Sequence, residues 1–154
     1  MSESKILGIR SSSKEIRYAI LEKKTDSTIV FTNRETENKL VYPASLYQID
    51  VKLKWLRDEL HRIFRQNSNI TQVVIKTNEF GIIENKATRK STYADAIIIC
   101  VAVELQIPVS CKLYSQIGSN SKGCETLVQK RGFHTKKYWD TKIADAILAA
   151  LSEL

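Results

Sequence analysis

The chain reads as an α/β fold: a five-stranded mixed sheet, an antiparallel three-strand meander joined to parallel strands, flanked by helices. Three observations predict it. The N-terminal part carries short β-branched runs separated by turn-forming residues. The stretch from Gln72 to Leu113 passes from strand-like to helix-like to strand-like, the right-handed crossover unit that builds a parallel sheet. Before and after it lie an amphipathic helical pattern and an alanine-rich one, which supply the flanking layers.

Lys5-Ile6-Leu7-Gly8-Ile9-Arg10 is a short strand, and Ser11-Ser12-Ser13-Lys14 a polar turn. Glu15 to Lys23 alternates Ile16, Tyr18 and Ile20, so the two runs form a hairpin. Thr28 to Thr32 extends it to a meander, Thr36 to Lys39 is loop, and Leu40 to Tyr42 is at most a short extended piece before Pro43. From about Ser45 to Gln66 the apolar residues Leu46, Ile49, Leu53, Leu56, Leu60, Ile63 and Phe64 recur at helical spacing. Charged residues fill the other face, and Asn67-Ser68-Asn69 stops the helix.

Gln72-Val73-Val74-Ile75-Lys76 is the first strand of the crossover. A long loop, Thr77 to Thr92, follows it, with Ser91 or Thr92 as the expected cap of the next helix. Tyr93 to Leu105 is long enough, and rich enough in small apolar residues, to predict a buried helix; Ile107 to Leu113 is the second strand. Tyr114 to Gly123 lacks the Gly-Lys-Ser/Thr of a phosphate loop. A helix from about Lys122 to Lys130 ends near Gly132, and Phe133 to Trp139 mixes cations with aromatics, as single-strand binding surfaces and packed linkers both do. Asp140 or Thr141 caps a final helix to Leu151. Within it Asp145 sits among small apolar residues, where an unpaired carboxylate is costly, so it requires a cationic partner at a strand end.

Composition narrows the function classes. The length of 154 residues suits one domain, 1–154. Cys100, Cys111 and Cys124 are isolated and only two histidines are present, which argues against zinc; Cys100 and Cys111 fall in core-like runs, as reduced thiols of a cytoplasmic protein do. Met1 to Lys5 is polar and the apolar runs are too short to cross a bilayer, so neither secretion nor membrane insertion is expected. The formal charge of +7 favours a polyanionic partner. Between Lys112 and Lys142 stand Lys112, Lys122, Lys130, Arg131, Lys136, Lys137 and Lys142 against Glu125 and Asp140 alone.

The order of elements, with Ile6 to Arg10 and its hairpin, Val73 to Lys76, Val103 to Val109 and Ile143 to Ala149, resembles the ribonuclease H-like fold, and within it Holliday-junction resolvases of the RuvC kind. There is also a likeness to short bacterial proteins with the same Val-Val-Ile-basic strand. In active relatives carboxylates end the first and fourth strands, and two more stand one turn apart on the last helix. Together they hold two magnesium ions about 4 Å apart across a phosphodiester. Carried over position by position, these fall on Arg10, Lys76, Lys142 and Asp145. Cations cannot ligate Mg²⁺, and no metal or catalytic residue is expected. Only if Glu79, Glu84, Asp140 or Glu15 took over would a divergent Mg²⁺ nuclease survive.

The resemblance therefore implies a non-catalytic module that binds nucleic acid through a basic cleft. Arg10, Lys76 and Lys142 would face the backbone, Lys86, Arg89, Lys90, Lys136 and Lys137 would be outer contacts, and Tyr138 or Trp139 stacking platforms. The alternative is a protein-interaction or regulatory scaffold, with a homodimer among the possible assemblies.

Overall fold

The structure, a computed structural model, describes residues 3–154; Met1 and Ser2, part of the polar start, lie outside them. A mixed sheet runs in the order β3-β2-β1-β5-β6, with β4 pairing β2. The strands are β1 (Ser4–Ser11), β2 (Glu15–Lys23), β3 (Ile29–Phe31), β4 (Lys39–Val41), β5 (Gln72–Lys76) and β6 (Val109–Lys112). β1 runs antiparallel to β2 and parallel to β5, and β6 runs parallel to β5 with Lys76 opposite Lys112. Six strands replace the five expected because Lys39–Val41 pairs with Glu15–Arg17, where the chain had read as loop and a short extended piece.

Period-two alternation divides each central strand between two cores. Leu7, Ile9, Val73 and Ile75 pack under α1 (Ile49–Gln66) and α2 (Lys86–Glu104). Ile6 and Val74 pack with α3 (Cys124–Lys130) and α4 (Thr141–Leu151) on the other face. Gly8 is required here by close approach: a Cβ at Gly8 would lie 1.9 Å from the Ala146 carbonyl oxygen. Glycine on β1 and alanine on α4 let helix backbone touch strand backbone, and this sets α4 against the carboxyl end of β1.

Four sequence expectations are corrected. α1 starts at Ile49 rather than near Ser45, because Leu46 N–H turns back to the Pro43 carbonyl at 3.0 Å. α2 starts at Lys86, not after Ser91 or Thr92: Asn85 accepts from Thr88 N–H while the Thr88 hydroxyl accepts from Asn85 N–H, both at 2.9 Å. Ser91 instead donates to the Ser11 carbonyl at 3.1 Å and ties helix to strand. α2 is also not buried all round, for Ala96, Cys100 and Val103 face outward. Cys100 is accordingly exposed, as is Cys111 on the edge strand β6, and of the three cysteines only Cys124 is buried. No helix among the described residues is long and apolar enough to cross a membrane.

Candidate functional site

The carboxyl ends of β1 and β5 deliver Arg10 and Lys76 side by side beneath the first turns of α4. The Arg10 Nε lies 3.3 Å from Asp145 Oδ2, and its Nη1 donates to the Lys76 carbonyl and to Asn78 Oδ1, each at 3.1 Å. Lys76 is fully buried; its Nζ donates to the Thr77 carbonyl at 2.6 Å, approaches Glu79 Oε1 at 3.4 Å and sits 3.8 Å above the Tyr114 ring. Tyr114 closes the circuit: its hydroxyl donates to Asp145 Oδ2 at 3.1 Å and its N–H to Glu79 Oε1 at 2.7 Å.

Burial dominates the electrostatics of this cluster. It raises the Asp145 carboxyl above the usual range, against the pull of Arg10, the Tyr114 hydrogen bond and Lys76. Burial, followed by the positive charge of Arg10, lowers the Lys76 ammonium. It also raises the Tyr114 phenol and pushes the Cys124 thiol up to about 11, in both cases with help from Asp145.

On the opposite face stands a second buried carboxylate, Asp95 of α2, beside Ser11. Burial pushes it up to about 6, with Ser11, Arg10 and Lys76 pulling the other way. The buried Ser11 hydroxyl meets the Asp95 carboxyl and no other group among the described residues.

Of the positions read from the sequence, Arg10, Lys76 and Asp145 come together, while Lys142 turns outward, half-exposed, with Nζ 3.5 Å from Glu15 Oε1. Lys76 is withdrawn from any ligand by its burial, so it is a structural cation and not a backbone contact. Lys86, Lys90, Lys136 and Lys137 are exposed. Arg89 is exposed too, but its guanidinium grips Glu84 at 3.1 and 2.9 Å. Tyr138 is exposed at a positive φ of 57°, with Lys39 Nζ 3.7 Å from its ring. Trp139 is half-buried against the α3–α4 core and meets His134 edge-on.

Each carboxylate that might have restored a metal site is committed elsewhere. Glu79 holds Lys76 and Tyr114; Glu84 holds Arg89; Glu15 faces Lys142. Asp140 pairs with the buried Arg17 at 3.1 Å and caps α4 through Ile143 N–H at 2.9 Å. Among the described residues no three His, Cys, Asp or Glu side chains are grouped to hold a metal ion. The residues present do not fit a Mg²⁺ pair, since the two strand ends that would supply ligands supply cations.

Sequence reasoning missed Asn78, Tyr114, Arg17 and Asp95. For Asp95 a signal existed, because Ala94-Asp95-Ala96-Ile97 repeats Ala144-Asp145-Ala146-Ile147 letter for letter.

Neither family models nor curated proteins match this chain. Solved structures do. The chain is similar to T. thermophilus RuvC in complex with Holliday junction substrate, at 14% identity and a TM-score of 0.75, covering 96% of this chain and 91% of that one. A second Thermus thermophilus RuvC structure gives 14%, 0.73, 96% and 92%. The yeast mitochondrial Holliday junction resolvase Ydc2 gives 13%, 0.60, 97% and 78%. The fold is thus ribonuclease H-like, and within that class it is of the RuvC type.

Proposed function

We propose that residues 1–154 act as one non-catalytic module that binds nucleic acid on the face around the carboxyl ends of β1 and β5. The observation that carries the non-catalytic part is the Arg10–Asp145 pair at 3.3 Å, with Lys76 buried beside it: the place where divalent cations would sit is occupied by protein cations. Binding is supported by the net charge of +7 and by exposed Lys14, Lys86, Lys90, Lys136 and Lys137 with half-exposed Lys142. The fold likeness to a protein solved with a Holliday junction substrate points the same way. Exposed Phe80 and Tyr138 are the available stacking surfaces.

Fluorescence anisotropy with labelled single strand, duplex, four-way junction and RNA, over a salt series with and without Mg²⁺, tests this. Affinity should fall steeply with salt, no strand should be cut, and Lys137→Glu with Lys142→Glu should weaken binding and flatten the salt slope. Mg²⁺-dependent cutting that Asp145→Asn abolishes would restore the nuclease alternative.

A second reading, an interaction scaffold, is favoured by one observation. Phe80, Ile82, Ile83, Tyr93 and Val103 are exposed large apolar side chains on α2 and the loop before it. It predicts a homodimer or a bound protein partner in analytical ultracentrifugation and pull-down, and no nucleic acid carried through purification. A monomer that carries nucleic acid is the opposite result.

A further inference from the structure

Beside the salt-bridged centre a cavity of about 400 Å³ opens between the β1–β2 turn, the first turns of α2 and the start of α4. No Asp or Glu lines it. What matters is which polar groups at its wall are already spent. Ser12, Thr88 and Ser91 use their hydroxyls on nearby backbone. Left over are Arg10 Nη2, the Ser13 hydroxyl, the Asn78 side-chain N–H groups and Lys14, none of which has a hydrogen-bond or ion-pair partner among the described residues. Lys142 is held only at 3.5 Å by Glu15. Ser11, 3% exposed, also lines the cavity, but its buried hydroxyl is turned to the Asp95 carboxyl and is not free for a ligand.

The unspent groups are donors or hydroxyls, and three of the lining residues are cations. That set selects an anion with several acceptor oxygens. A phosphodiester offers one charge, and its chain must leave in both directions. A phosphomonoester carries about −1.5 to −2 at pH 7 and three acceptor oxygens on one end, and a cavity of this volume lies within the range of small-molecule sites. We propose that this cavity binds the phosphomonoester of a nucleotide, at the end of a nucleic-acid strand or on a free mononucleotide. The proposal rests on the nucleic-acid reading and names the chemical group that the site selects.

The test compares one short single strand bearing a 5′-phosphate, a 3′-phosphate or hydroxyls at both ends, with adenosine 5′-monophosphate as competitor, by anisotropy at fixed salt. One phosphorylated form should bind at least about tenfold tighter than the hydroxyl form, the worth of one charge-assisted contact. Lys14→Ala, on an exposed turn, should bring that ratio close to one while the protein melts as wild type does; Ser13→Ala should reduce it. Displacement by the mononucleotide assigns the site to a free nucleotide; its failure assigns it to a strand end. Equal binding of all three strands overturns the inference and leaves the nucleic-acid reading standing. Binding of the mononucleotide alone, lost in Lys14→Ala, keeps the inference and overturns that reading. Binding of nothing overturns both.

Discussion

Replacing Asp95 by asparagine isolates the cost of one buried carboxylate. In the folded protein Asp95 is pushed from 3.8 to about 6, chiefly by burial, with Ser11, Arg10 and Lys76 opposing. A raised carboxyl holds its proton more tightly when folded than when unfolded. Stability is therefore present below pH 4 and declines as pH rises toward 6, by about 3 kcal/mol in all. Tyr42 and Cys111 also feel this carboxylate, but both titrate far above that window. The amide that replaces the carboxyl has the same shape and no charge. Urea unfolding of wild type and Asp95→Asn at half-unit steps from pH 4 to 7.5 should give a stability difference that moves toward the variant by about 3 kcal/mol. Carboxylates elsewhere that titrate low, such as Glu22 and Glu153, cancel in that difference. A difference independent of pH would refute the assignment and mean that Asp95 stays ionised through the Ser11 hydroxyl and the charges of Arg10 and Lys76.

The remaining predictions concern the centre and its packing. Asp145→Ala leaves Arg10 without its carboxylate and should cost about 3–5 kcal/mol in chemical denaturation, whereas Lys76→Met should change stability by no more than about 1 kcal/mol; equal losses would contradict the salt-bridge account. Gly8→Ala drives a Cβ into backbone atoms of Ala146 and Ala150, which cannot swing aside, and should cost about 3 kcal/mol or more; a wild-type melting temperature would mean that α4 slides freely. Arg10→Asp with Lys76→Glu places acids at both strand ends beside Asp145, so the double variant should be destabilised and regain thermal stability with millimolar Mg²⁺ or Mn²⁺. Wild type should show no such gain.

The meander, the crossover strands and the four helices were legible in the sequence because alternation and helical spacing are local signals. Lys76 shows where that ends. Its place at a strand end could be read, but a lysine looks solvent-facing until Tyr114, distant in sequence, is seen lying under its ammonium. Trp139 likewise sits in a segment whose composition suits either a binding surface or a packed linker, and its contact with the α3–α4 core is what separates the two. Ala96, Cys100 and Val103 suggested a buried helix, because hydropathy reports what a residue tolerates and not whether a neighbour covers it. Asp95 was readable by the argument applied to Asp145, since both interrupt the same alanine-isoleucine pattern.

The two Ala-Asp-Ala-Ile segments also explain why the cations belong together. One packs on each face of the sheet, and both deliver a carboxylate to the end where β1 and β5 finish. A cage of carboxylates there needs divalent cations to offset its repulsion and its burial. With Arg10 and Lys76 at the strand ends the offset is covalently part of the chain. Arg10 answers Asp145, Lys76 answers Glu79, and Asp95, with a serine hydroxyl and no ion pair among the described residues, is the carboxylate that burial pushes up to about 6. Removing Arg10 alone would leave buried Asp145 without its ion pair, several kcal/mol uphill, whereas the Glu79 that answers Lys76 is itself partly exposed. The Arg10–Asp145 pair is therefore the part of this centre that the fold can least do without.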